Sequence, residues 1–206
     1  MKKTTVLIAD DHAFVRMGIA SLLSAEDDIE VVGEAANGKR AVAEAERLSP
    51  DVAIVDLMMP QMDGAAATAE IKRLRPETKI ILITSFAEAD GLAHAIEAGA
   101  DGVVMKNAEN HDLIAAIRRV MSGKTAIPPE IRRQIAEDPP VPSLSPRQTE
   151  VLQSIIRGLS NKDIAVQLGI SKDRVEEHVA AIFAKIGAAN RSEAVAIALR
   201  KQILKI

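Results

Sequence analysis

Five short apolar runs, TVLIA, EVVGEA, VAIVD, KIILITS and GVVMK, recur near residues 5–9, 30–35, 52–56, 79–85 and 102–106. The stretches between them are of helical length, with apolar positions three and four apart, as in Ala41, Ala45 and Leu48. After the fifth run, Leu113, Ile114, Ile117, Val120 and Met121 repeat that spacing. An apolar run bounded by turn residues fits a strand buried on both faces. Five such strand–helix units in succession predict a parallel sheet with helices on both faces and right-handed crossovers. At this size the common closed solution is the flavodoxin-like strand order 2-1-3-4-5.

The polar residues that end these runs then become informative. Run one ends in Asp10-Asp11, run three in Asp56, run four in Thr84-Ser85 and run five in Lys106. All lie at carboxyl ends, so a parallel sheet brings them to one rim, where open α/β sheets place their chemistry. Each like-charge carboxylate pair at ~4 Å costs roughly 4 kcal/mol at an effective dielectric of ~20. A hard divalent cation relieves that cost, and Mg²⁺ favours carboxylate oxygens, water and phosphate. With the Lys106 ammonium and the Thr84 hydroxyl added, the set suits phosphoryl acceptance on Asp56. Asp56 closes VAIVD, and Pro60 and Gly64 end the segment that follows.

Composition excludes several other classes. Aromatic residues make up 1 %, three Phe with no Trp or Tyr, so base stacking on aromatic side chains is not expected. With no Cys there are no disulfides and no thiolate metal sites. MKKTTVLIADD is too short in its apolar part for a signal peptide, and no window reads as a membrane span. A soluble, cytoplasmic protein is expected. The net charge of −3 is unevenly spread: 145–206 holds ten Lys or Arg against six Asp or Glu, net +4, which leaves −7 in 1–144. The basic half suits an anionic polymer as partner.

DDHAFVRMG, DLMMPQMDG, LITS and the Lys after run five stand in an order and spacing that resembles the receiver domain of two-component response regulators, over residues 1–121. The resemblance implies that Asp56 is the phosphoacceptor. It implies that Asp10, Asp11, Asp56 and the Met58 backbone carbonyl hold Mg²⁺, that Thr84 and Lys106 bind phosphoryl oxygens, and that a sensor histidine kinase is the donor. Three residues before the Lys, where receivers usually carry Tyr, Phe or His, this chain has Val103. Gly91, early in the fourth helix, loosens it by roughly 1 kcal/mol relative to Ala. The receiver is expected over 1–122 and a linker over 123–143, with Gly123 closing the fifth helix. A short helix from Pro128-Pro129 to about Glu137 and a stiff Pro-rich spacer, Asp138 to Ser143, complete the linker.

Residues 144–206 read as an all-α, four-helix unit. Ser145, Pro146 and Gln148 form a helix start. Helices from Asn161 to Leu168 and from Lys172 to about Ile186 flank Gly169-Ile170-Ser171 in helix-turn-helix fashion, and a last helix begins at Arg191 or Ser192. GLSNKDIAVQLGIS, the Val175–Gly187 run and NRSEAVAIAL resemble the LuxR-type (NarL/FixJ) output domain. That resemblance implies phosphate contacts from Ser160, Asn161, Lys162 and Lys185. It implies a recognition helix that meets DNA through residues such as Lys172, Arg174, Glu176, Glu177, His178 and Ala180. It also implies subunit pairing through Ala194, Ile197 and Ala198 on a two-fold-symmetric, inverted-repeat site.

Within the recognition helix Val175, Val179, Ile182 and Ile186 form the buried stripe, and Asp173, Glu177, Ala180 and Ala184 lie opposite. Glu176 and Glu177 stand where family members usually carry Lys, Val or similar. A Glu can accept from cytosine N4, which allows unusual base choice. It also faces the phosphates that supply most of the affinity. The expected protein is a response regulator that binds DNA as a homodimer. The alternative is a receiver protein whose acidic helix meets a protein partner. A turnover enzyme is not expected: Leu57-Met58 follows Asp56 without a second Asp, and there is no GxxxxGK[ST] or GxGxxG run.

Overall fold

The computed structural model describes residues 3–85, 89–137, 144–201 and 203. They fall into two compact units, 1–140 and 141–206. In the first, β1 (Thr4–Ala9), β2 (Ile29–Ala35), β3 (Val52–Asp56), β4 (Lys79–Thr84) and β5 (Gly102–Met105) form one sheet, all pairs parallel, in the order β2-β1-β3-β4-β5. Side chains alternate faces along a strand, and β3 divides accordingly. Ala53 and Val55 join a core with Ala41 and Ala45 of α2 (Gly38–Leu48), Ala67 and Ile71 of α3 (Gly64–Leu74) and Leu92 of α4 (Ala89–Glu97). Val52 and Ile54 join a core with Leu23 of α1 (Ala13–Ser24) and Leu113, Ile117 and Val120 of α5 (Asn110–Met121). β3 is thus covered on both faces, as its unbroken apolar run predicted.

The segment expected as linker behaves differently from that expectation. Gly123, at φ 77°, lies one residue past the Ser122 cap of α5. Ala126 then bridges to Gly102 and accepts from the Val103 N–H at 3.0 Å. Ile127, and Ile131 of α6 (Pro129–Glu137), pack on the α2–α3–α4 core. Residues 123–137 therefore belong to the receiver unit, because two isoleucines bury there what a free spacer would leave in water. The Asp138–Ser143 spacer lies outside the described residues.

The second unit contains α7 (Pro146–Ile156), α8 (Asn161–Leu168), α9 (Lys172–Ile186) and α10 (Arg191–Arg200). Ser145 and Gln148 form a capping box at α7, Ser160 and Asp163 another at α8, and Ser171 and Asn190 cap α9 and α10. Gly169 and Gly187 end α8 and α9 at φ 64° and 72°, left-handed positions suited to a residue without Cβ. The core gathers Val151, Leu152, Ile155, Ile164, Val175, Ile182 and Ile186.

Candidate functional site: the acidic rim and the recognition helix

The carboxyl rim of the sheet brings together the residues the sequence singled out. Asp10 follows β1, Asp56 ends β3, Thr84 ends β4 and Lys106 follows β5. Asp10, Asp56 and Thr84 are buried. Lys106 Nζ lies 2.8 Å from Asp10 Oδ2 and 2.9 Å from Asp56 Oδ2, one ammonium shared by two carboxylates. The Lys106 backbone N–H donates to the Thr84 carbonyl at 2.8 Å, which ties the ends of β4 and β5 together under the pocket. Gly64 is required nearby: a Cβ there would stand 2.4 Å from the Asp56 carbonyl oxygen, so the DLMMPQMDG turn closes over the strand end only with glycine at that place.

Opposing effects act on the Asp56 carboxyl. Burial pushes its carboxyl above the usual range; the Lys106 hydrogen bond opposes this, the Asp10 charge adds to it, and the Met58 N–H donating to the carboxylate subtracts. Burial alone would lower the Lys106 ammonium, but the two carboxylates at its tip outweigh that and hold it above its ordinary range. Asp10 Oδ2 is buried and faces the Lys106 ammonium. Asp10, Asp11, His12 and Asp56 each offer a ligand atom within 4.8 Å of the others. A cluster of three carboxylates whose oxygens come this close fits a hard divalent cation.

Two residues the sequence reading passed over support this rim. Arg16 of α1 donates from Nη1 to the Asp10 carbonyl at 2.7 Å and from Nε to Glu34 at 3.1 Å, fixing the end of β1. The His12 N–H donates to Asp10 Oδ1 at 2.8 Å, and its Nδ1 lies 2.8 Å from Asp11 Oδ1. Both stand inside DDHAFVRMG, but nothing in their spacing distinguishes a strut from a solvated helix face.

In the second unit, α8 and α9 meet across Gly169-Ile170-Ser171, and the outer face of α9 carries Asp173, Glu177, Ala180 and Ala184, all exposed. Val175, Ile182 and Ile186 are buried and Val179 packs against them. Lys172 Nζ lies 3.1 Å from Glu176 Oε1, and Arg174 Nη1 lies 2.8 Å from Glu177 Oε2. Glu176 and Glu177 are thus each matched by a base of the same helix.

Comparison with known proteins agrees with both halves. Residues 6–118 match the family of response regulator receiver domains, and residues 142–198 match bacterial regulatory proteins of the luxR family. The response regulator protein VraR of Staphylococcus aureus is 37 % identical over 210 residues, spanning 97 % of this chain and 98 % of the relative. A structure of the two-component response regulator RcsB in complex with DNA is 27 % identical, with a TM-score of 0.63, over 97 % of this chain and 99 % of that one. The isolated receiver of RcsB from Salmonella enterica serovar Typhimurium, determined with the phosphomimetic BeF3-, is 30 % identical, with a TM-score of 0.58, over 65 % of this chain and 99 % of that one.

The chain belongs to the LuxR-type response regulators. It is a two-component response regulator with a receiver and a LuxR-type helix-turn-helix domain. Among the described residues no helix is long and apolar enough to cross a membrane.

For a LuxR-type regulator, the residues implied for DNA and dimer contacts fall into three groups. Lys162, Lys172, Arg174, Glu176, Glu177 and Ala180 are exposed, and His178 is half-buried. Others are engaged within the domain. The Ser160 hydroxyl donates to Asp163 at 2.6 Å, which holds that carboxyl below its usual range; Asn161 Oδ1 accepts from Arg191 at 3.4 Å, and Lys185 Nζ lies 3.0 Å from Gln148 Oε1. The third group is a correction. Ala194 and Ala198 are 0 % and 2 % exposed and belong to the four-helix core, with Ile197 packed against it. A helix resting on α7 and α9 must place small residues where backbones approach, so these alanines face inward. The outward face of α10 is Ser192, Glu193, Ala196, Leu199 and Arg200.

Proposed function

We propose that Asp56 accepts a phosphoryl group from the phosphohistidine of a sensor histidine kinase in the cytoplasm, and that the phosphorylated chain binds an inverted-repeat DNA site as a homodimer. The observation that carries this is the shared ammonium: Lys106 holds the Asp10 and Asp56 carboxyl groups side by side inside a buried pocket. Asp10, Asp11, Asp56 and the Met58 carbonyl would hold Mg²⁺, which when bound neutralises carboxylates and incoming phosphoryl oxygens. An Asp56 oxygen attacks phosphorus, the phosphorus–nitrogen bond breaks, and the imidazole leaves with the electron pair. Lys106 exchanges its Asp56 contact for a phosphoryl oxygen, and the Thr84 hydroxyl donates to another. Val103 is buried, and a short β-branched side chain three residues before Lys106 has no ring to swing as an aromatic one would.

The test is selection from random duplexes with and without a beryllofluoride–Mg²⁺ mimic of phosphorylated Asp56. Enrichment of an inverted repeat that strengthens with the mimic in wild type, and not in Asp56→Asn, is the expected result. The self-neutralised α9 favours a second reading, in which this helix meets a protein partner. Mimic binding without any enriched duplex would select it.

A further inference from the structure

The two acidic residues of α9 are not simply an impediment to a polyanion. Glu177 and Arg174 are 63 % and 69 % exposed on the first two turns, three residues apart, and already paired at 2.8 Å. In helix-turn-helix domains the N-terminal residues of the second helix face the base edges. The pair therefore presents a donor and an acceptor side by side. A C·G base pair shows the complementary couple in the major groove: the cytosine N4 amino group donates beside guanine O6, with guanine N7 as a second acceptor. A T·A pair also offers an acceptor beside a donor, but gives the guanidinium only one acceptor and brings a thymine methyl against it.

We infer that Arg174 and Glu177 read one C·G pair of the half-site together, Glu177 accepting from cytosine N4 and Arg174 donating to guanine O6 and N7. The inference rests on DNA binding by the LuxR-type domain. Its energetic logic lies in selectivity. While Glu177 engages Arg174, that guanidinium is withheld from phosphates of arbitrary DNA, so non-specific affinity is reduced. At the right base pair both partners gain a contact without giving up their own ion pair. Lys172 and Glu176, 3.1 Å apart, withhold a second cation in the same way.

The experiment compares wild type, Glu177→Gln and Glu177→Ala in duplex selection, with affinity for the selected site and for a random duplex measured across a salt series. Thermal melting confirms that each variant folds, which the exposure of Glu177 favours. Wild type should require C·G at one position of each half-site, with a penalty on the order of ten- to a hundredfold for changing it. Glu177→Ala should lose that requirement and keep the others, and Glu177→Gln, whose amide oxygen still accepts but forms no ion pair with Arg174, should weaken it. Their random-duplex affinity should rise and its log–log salt slope steepen by about 0.9, the value of one additional phosphate contact. A wild-type site whose base preferences survive Glu177→Ala unchanged, or a position reading T·A, overturns the inference while DNA binding stands. No enriched duplex for any of the three proteins removes the DNA reading itself, and the inference with it.

Discussion

Asp56 shows how a buried carboxyl burdens the fold that holds it, because burial raises it and the Asp10 charge adds to the effect. The unfolded chain carries that carboxylate in water without the penalty. Between the unfolded pKa and the higher folded one, the native state binds the extra proton, so the Asp56 contribution to stability falls as pH rises through that window. Above the folded pKa the penalty is fully present and constant. Asp56→Asn should therefore raise the thermal midpoint at pH 7, by about 2–4 °C for each kcal/mol relieved. The difference from wild type should shrink as pH drops toward ~3.9, the ordinary Asp value. Parallel melting curves of the two proteins across pH check this. A gain independent of pH would assign the effect to packing and not to charge.

Among the elements, α6 is the one whose role the pattern of residues left open. Pro128-Pro129 announced a helix start, and the helix is there, from Pro129 to Glu137. Where its apolar side rests was not legible, since two isoleucines on a nine-residue helix carry no label naming their partner. The structure places Ile127 and Ile131 on the core beneath α2, α3 and α4. Ile131→Ala should cost the receiver about 1–2 kcal/mol, below the ~2–5 kcal/mol of a fully buried site because Ile131 is half-covered. Urea unfolding reads this as a lower midpoint with an unchanged slope; an unchanged midpoint would mean α6 merely lies against the surface. The α10 alanines were misplaced for a related reason. Small residues mark close approach, but they do so equally at a subunit interface and in a core. By contrast β3, the capped start of α7, and the Gly-terminated α8 and α9 were legible because period, cap and turn residue all agreed.

For the whole molecule, the strand-end positions of Asp10, Asp56, Thr84 and Lys106 were enough to assemble the rim, because a parallel sheet fixes which ends meet. Arg16 and His12 were not legible, as a strut is defined by the atoms it reaches. Charge at this scale was legible from the start, and it leads to a prediction that needs no knowledge of how the two units are arranged. The 1–144 part carries a net −7 and the rest +4. An acidic half tethered to a DNA-binding one repels the same polyanion that the basic half attracts, over a range set by the Debye length of ~10 Å at ~0.1 M salt. The full chain should therefore bind a random duplex more weakly than residues 141–206 alone at ~50 mM salt, and the two affinities should converge as salt approaches ~200 mM. Because the isolated unit lacks the repulsion, its affinity should fall more steeply with salt than that of the full chain. Titrations of both proteins against one labelled duplex over that range decide the matter. Parallel salt lines with a constant offset would place the difference in direct blocking of the helix, not in long-range charge.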